Sequence, residues 1–84
     1  MAGARDARLS RPTDRFLQRA EAGRATHLRA AIDDLLDDPL LGKKLKGGLA
    51  GLRSLRVGSF RIVYRFDAET VEIVDINDQK DVYR

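Results

Sequence analysis

From Leu52 onward the apolar residues of this chain recur at every second position, and one dipeptide, Gly58-Ser59, folds the run back on itself. Glycine in the first place of a two-residue connection is the preference of a type II′ hairpin turn, whose twist matches that of the strands it joins. A turn of that length fixes the register. Val57 then faces Phe60, Arg56 faces Arg61, Leu55 faces Ile62 and Ser54 faces Val63. Alternation puts Leu55, Val57, Phe60, Ile62, Tyr64 and Phe66 on an apolar side and Ser54, Arg56, Arg61 and Arg65 on the other. Like charges directly across a strand pair repel and lower stability. The facing arginines therefore predict an anion to place between them.

Upstream, the period is helical. Asp6 to Leu9 reads as a short edge strand, Ser10 as an N-cap, and Pro12 falls in the first helical turn, where its missing N–H costs nothing. The spacing predicts a helix to about Ala22 with a thin apolar face of Phe16, Leu17 and Ala20, ended by Gly23. A second helix is predicted from Arg24 to Asp37, because Leu28, Ile32, Leu35 and Leu36 fall at i, i+4, i+7 and i+8; Pro39 stops it. The short connection at Gly23 makes the two an antiparallel helical hairpin. The glycines of Gly42-Lys43-Lys44-Leu45-Lys46-Gly47-Gly48-Leu49-Ala50-Gly51 predict a mobile basic loop that its leucines pin to the body. Beyond the hairpin, Asp67-Ala68-Glu69 turns the chain into a strand from Thr70 to about Ile76. Its mixed apolar positions, Val71, Ile73, Val74 and Ile76, suit a central strand. The order is β-α-α-β-β-β over a single domain of residues 1–84: an α+β fold with the helical hairpin packed on one face of a small antiparallel sheet and the other face open.

Charge narrows the use of that open face. The formal net charge is +3, yet residues 39–66 carry seven basic groups and no acid, while residues 1–38 balance seven against seven and residues 67–84 are acidic. A local excess of this kind attracts phosphate and drives salt-dependent association with nucleic acid, and it also suits an acidic protein partner. At 84 residues the chain buries only about 60% of its unfolded surface, so there is room for one core and one site. With no cysteine and a single histidine, His27, thiolate metal sites, histidine metal sites and histidine acid–base pairs are excluded; no metal and no cofactor are expected. No apolar run approaches the ~20 residues of a membrane span, so a soluble, cytoplasmic protein without a membrane partner is expected.

The main constellation is Arg56, Arg61 and Arg65 with Lys43, Lys44 and Lys46 of the basic loop, read as a phosphate-binding face against the alternative of a solvated sheet surface. RNA can cleave itself through attack of a 2′-OH on the adjacent phosphate, so a protein needs only to align that attack, stabilise the added negative charge and help move protons. Arginines supply the second. Tyr83, folded back over the sheet, supplies an acid or base once its pKa is tuned below the usual value of about 10; its competing role is an aromatic plug at the core edge. His27 reads as a surface or cap residue. Asp33, Asp34, Asp37 and Asp38 read as a solvated helix face rather than a metal site.

These residues together resemble a known family. The order of elements, Leu-Leu-x4-Leu-Gly-Lys-Lys-Leu-Lys-Gly across Leu35 to Gly47, the block Leu55-Arg56-Val57-Gly58-Ser59-Phe60-Arg61-Ile62-Val63-Tyr64 and the closing Asp81-Val82-Tyr83-Arg84 are similar to the RelE branch of the RelE/ParE toxin superfamily. The resemblance covers nearly the whole chain. It implies the toxin of a type II toxin-antitoxin pair that enters the ribosomal A site and cuts mRNA without a metal. Its partners would be the ribosome, mRNA and a cognate acidic antitoxin, with a toxin-antitoxin hetero-oligomer as the stored form. By position, Arg56 and Arg61 match the phosphate-contacting arginines and Tyr83 the tyrosine that stacks on the base or assists the reaction. Lys43, Lys44, Lys46, Arg53 and Arg65 are the accompanying RNA-binding candidates.

Two departures qualify what the resemblance implies. Asp78-Gln79 stands where active members carry His-Arg or Pro-Arg, so the expected arginine is replaced by Gln79, with Lys80 beside it as an auxiliary cation. Leu52, Arg53 and Ser54 occupy the place of a lysine pair found in some members, and the parity of Arg53 puts it on the apolar face. Two alternatives therefore stay open: a catalytically weak homologue that binds antitoxin or RNA, and a ParE-like inhibitor of DNA gyrase.

Overall fold

The computed structural model describes residues 5–45 and 51–78, and in it the Gly58-Ser59 hairpin has the register its turn predicts. Strand β3 (Arg53–Val57) runs antiparallel to β4 (Phe60–Phe66), with Arg56 opposite Arg61 and Val57 opposite Phe60. Gly58 has φ +62° and no other residue type takes a positive φ among the described residues. Type I′ needs positive φ at both central positions, so the turn is type II′.

The remaining elements are β1 (Asp6–Leu9), α1 (Arg11–Arg19), α2 (Ala22–Asp37), a single 3-10 turn at Pro39–Leu41, the two-residue β2 (Lys43–Lys44) and β5 (Thr70–Asp78). The sheet order is β1-β5-β4-β3-β2. Both helices pack on one face, where Leu17, Leu28, Ile32 and Leu35 meet Phe60, Ile62, Tyr64, Val71, Ile73 and Ile76 in one buried cluster. β5 lies between β1 and β4, as a strand with apolar residues on both faces should.

Three expectations are corrected. The sheet is mixed rather than antiparallel, because β1 pairs with β5 in parallel, Asp6 against Thr70 through Leu9 against Ile73. The segment predicted as a loop begins with a strand: Lys43 and Lys44 pair with Ser54 and Arg53. Helix α1 ends at Arg19 and Gly23 lies inside the first turn of α2, where the N–H groups have no intrahelical partner and a glycine interrupts nothing.

The odd apolar spacing of β5 has a local cause. Val63 pairs with Asp75 but Tyr64 pairs with Ile73, so Val74 is an extra residue, a β-bulge that restores Ile73 and Val71 to the core side. The carbonyls it displaces are collected by the start of α1. Ser10, the N-cap, accepts from Thr13 N–H at 3.2 Å and donates from Oγ to Val74 O at 2.8 Å, while the buried Thr13 hydroxyl lies 3.4 Å from Ile73 O. The Ser10 and Thr13 hydroxyls thus cap a helix and seal a bulge. No helix among the described residues is long and apolar enough to cross a membrane.

Candidate functional site

The open face of the sheet is built by alternation and by one buried hydroxyl. Tyr64 lies on the core side of β4 with no exposure, and its OH donates to Pro39 O at 2.6 Å and accepts from Gly42 N–H at 2.9 Å. That pair of bonds holds the 3-10 turn and the start of β2 against the sheet. Arg53 adds to it by donating to Gly42 O at 2.7 Å and Leu40 O at 3.4 Å. Phenylalanine at position 64 would leave both backbone groups without their partner, a loss of about 1–3 kcal/mol. Tyr64→Phe is therefore expected to lower the denaturation midpoint in urea with an unchanged m-value.

Pinned in this way, β2 divides its two lysines between the faces. Lys43, opposite Ser54, joins Ser54, Arg56 and Arg61 around a groove of about 490 Å³ that Leu41 and Gly42 bound on one side. Lys44, opposite Arg53, lies on the other face. Arg56 is exposed and Arg61 half-buried, and neither pairs with an acidic side chain among the described residues. Arg61 Nε is shielded from water and has no hydrogen-bond partner; neither does Oδ1 of Asn77, which stands across from Arg61 on β5. A buried donor left open costs about 1–3 kcal/mol, a second local cost beside the repulsion between the facing arginines.

Arg65 is placed differently. It shares the parity of Arg61 but lies four residues, about 13 Å, along the strand, and Glu72 on β5 takes it into an ion pair at 2.7 Å. The hydrogen bond and charge of Glu72 raise the Arg65 pKa above its ordinary value. The acid-free run of sequence did not foresee this, because the acids arrive from the neighbouring strand. Asp75 also reaches the open face, where it accepts from Asn77 Nδ2 at 3.0 Å. Of the predicted residues, then, Lys43, Arg56 and Arg61 come together; Arg53 braces a turn, Lys44 faces away and Arg65 is paired. Lys46, Lys80 and Tyr83 lie outside the described residues.

The lining of this groove is cationic and hydrogen-bond donating. Guanidinium groups are always charged and present a planar fork that matches phosphate oxygens. The groove can therefore hold and stabilise an oxyanion, while proton transfer has to come from another group. A larger and more apolar cavity of about 580 Å³ lies on the helix side, between Arg24, His27 and Leu28 of α2 and Val57 and Phe60 at the hairpin end, away from the arginine pair. His27 lines it and is exposed. Among the described residues no three His, Cys, Asp or Glu gather in one place; the α2 carboxylates are exposed, and Asp38 accepts from Leu40 N–H to cap the 3-10 turn.

Gly42 and Tyr64 are site-forming residues that charge and spacing did not single out. The available signal was a tyrosine on the apolar side of a strand, since a buried phenol needs a partner.

Comparison with known proteins is consistent in direction. A family model described as the ParE toxin of type II toxin-antitoxin systems, parDE, matches residues 8–83. Toxin RelG from Mycobacterium tuberculosis is 44% identical over 57 residues, which are 64% of this chain and 66%, just under two thirds, of RelG. The toxin-antitoxin complex RelBE2 from the same organism superposes with a TM-score of 0.80 at 30% identity, covering 90% of this chain and 99% of that one. A YoeB/ParE toxin from Agrobacterium tumefaciens shares the fold at a TM-score of 0.73 and 23% identity, covering 87% and 96%.

Proposed function

The chain belongs to the ParE toxin family of type II toxin-antitoxin systems, within the RelE/ParE superfamily, and from that premise we propose that it is a ribosome-dependent endoribonuclease that cuts mRNA and so stops translation. The observation that carries this reading is the convergence of Lys43, Arg56 and Arg61 on one groove, where none of them forms an ion pair among the described residues. Arg56 and Arg61 hold the scissile phosphate from two sides and stabilise the charge that builds as the 2′-OH attacks. Lys43 extends the contact to the next phosphate.

Tyr83 is the proposed proton-transfer or base-stacking group, with Lys80 as auxiliary. β5 ends at Asp78, one residue beyond the Asn77 that faces Arg61. Five further residues span at most about 18 Å, enough for Tyr83 to reach the groove. The resemblance implies an arginine at the place of Gln79, so this chain has one cation fewer there, and Gln79→Arg is expected to raise the cleavage rate by up to about 10²-fold; a rate unchanged in single-turnover assays on programmed ribosomes would remove Gln79 as the limiting defect.

The RelBE2 and Escherichia coli RelBE neighbours are toxin-antitoxin complexes, and by the same reading an acidic antitoxin covers the cationic groove of this toxin in resting cytoplasm. The ParE description of the matching family model favours a second reading, inhibition of DNA gyrase. Induction in growing cells with primer extension on a reporter mRNA separates them. Arrest with new cuts inside translated codons supports the nuclease, and arrest with a DNA-damage response and intact mRNA supports the gyrase inhibitor. Absence of arrest would sink both.

A further inference from the structure

Helix α1 carries a second cationic surface on the opposite layer from the groove. Arg11, Arg15 and Arg19 recur every fourth residue, are all exposed, and take part in no ion pair among the described residues. On a helical wheel their mean direction lies opposite the buried Thr13 and Leu17, so they project straight away from the core. The single acid of this helix, Asp14, is tied to Gln18 Nε2 at 3.1 Å.

Two features make this row costly if water alone faces it. Like charges at i, i+4 destabilise a helix by about 0.2–0.5 kcal/mol per pair, and Arg11 sits at the first helical position, where the macrodipole disfavours a cation. Successive arginines rise about 6 Å along the helix axis, and the row uses arginine throughout. Such a ladder fits a polymer with regularly repeated phosphates better than it fits a single small anion.

We infer that α1 is a docking surface for the phosphate backbone of structured RNA, separate from the groove, so that the protein engages nucleic acid from both layers at once. This goes beyond the cleavage reading and stands on α1 alone.

The test is the binding of the full-length protein to a short fluorescent RNA duplex across about 50–200 mM salt. Wild type is compared with Arg11→Gln/Arg15→Gln/Arg19→Gln, with the corresponding triple lysine variant, and with Arg56→Gln/Arg61→Gln. The triple glutamine protein is expected to bind at least about tenfold more weakly, with the slope of log K against log salt smaller by about 2 to 3. The lysine variant should keep the slope, and the groove variant should keep the α1 share of it even where cleavage is lost. Thermal melting identifies any unfolded variant, and relief of repulsion should leave the triple glutamine protein at least as stable as wild type. Undiminished affinity and slope in the folded triple variant would overturn the inference, as would failure of wild type to bind duplex. Polyglutamate bound at α1 with equal affinity would reassign the surface to an acidic protein.

Discussion

An Arg61→Ala toxin is expected to cut mRNA about 10²–10³-fold more slowly while melting within about 5 °C of the parent. The two halves of that expectation come from the same residue. Arg61 faces Arg56 across the hairpin and lines the groove with Lys43, so its loss removes one side of the proposed phosphate clamp. Among the described residues its Nε makes no hydrogen bond and its guanidinium no ion pair, so alanine breaks no partner there and relieves a like-charge contact. Arg61→Lys keeps the charge without the planar fork and should fall between the two. Initial cleavage rates on programmed ribosomes, read beside melting curves, check both halves. Full activity in Arg61→Ala would remove the clamp from the mechanism.

Among the described glycines, Gly42 is the one where an added methyl group should do most damage. A Cβ at this position would lie 2.6 Å from Ser54 O and 2.6 Å from the Tyr64 hydroxyl. One of these is backbone and the other is fixed by two hydrogen bonds, so neither can yield cheaply. Overpacking of this kind costs about 1–3 kcal/mol, and for a domain of this size each kcal/mol lowers the melting temperature by about 4–8 °C. The damage also reaches the groove, because displacing β2 from β3 releases Lys43. Thermal melting and amide hydrogen exchange on β2 and β3 should show lost protection at Leu45 N–H, which now bonds to Leu52 O. Alanine accommodated with wild-type stability would mean that Tyr64 does not anchor this turn.

How far each element could be read from sequence follows from where its cause lies. The β3–β4 register was legible residue by residue because the turn is two residues long and its chemistry is local. The apolar face of α2 was legible because its period is sustained over four residues of core, Leu28, Ile32, Leu35 and Leu36. β2 was not, since two residues carry no period and its anchor is the hydroxyl of a tyrosine 22 positions away. The parallel partner of β1 was not, because a run of consecutive strands says nothing about where the first one docks. The bulge at Val74 was visible only as an irregular spacing. Its explanation needed the Ser10 and Thr13 hydroxyls, about sixty residues earlier.

The site divides in the same way. Facing arginines could be derived from the turn, whereas the neutralisation of Arg65 could not, because Glu72 meets it only through β4–β5 pairing. The balanced charge of residues 1–38 concealed a segregation as well. Arginines line α1 and aspartates close α2, and only the helical period separates them.

The parallel joint between β1 and β5 also sets an order of events in time. The hairpin of β3 and β4 can close by itself in about 1–10 μs, which brings Arg56 and Arg61 together early. The joint cannot form until the chain reaches the strand that Ser10 must bond, 64 residues downstream, and contacts of such separation are the slow ones. A nascent chain that stops before Thr70 would thus display the arginine pair on a hairpin with no central strand beside it. The folded domain is completed by β5, and its assembly is timed by the emergence of that strand rather than by the formation of its site.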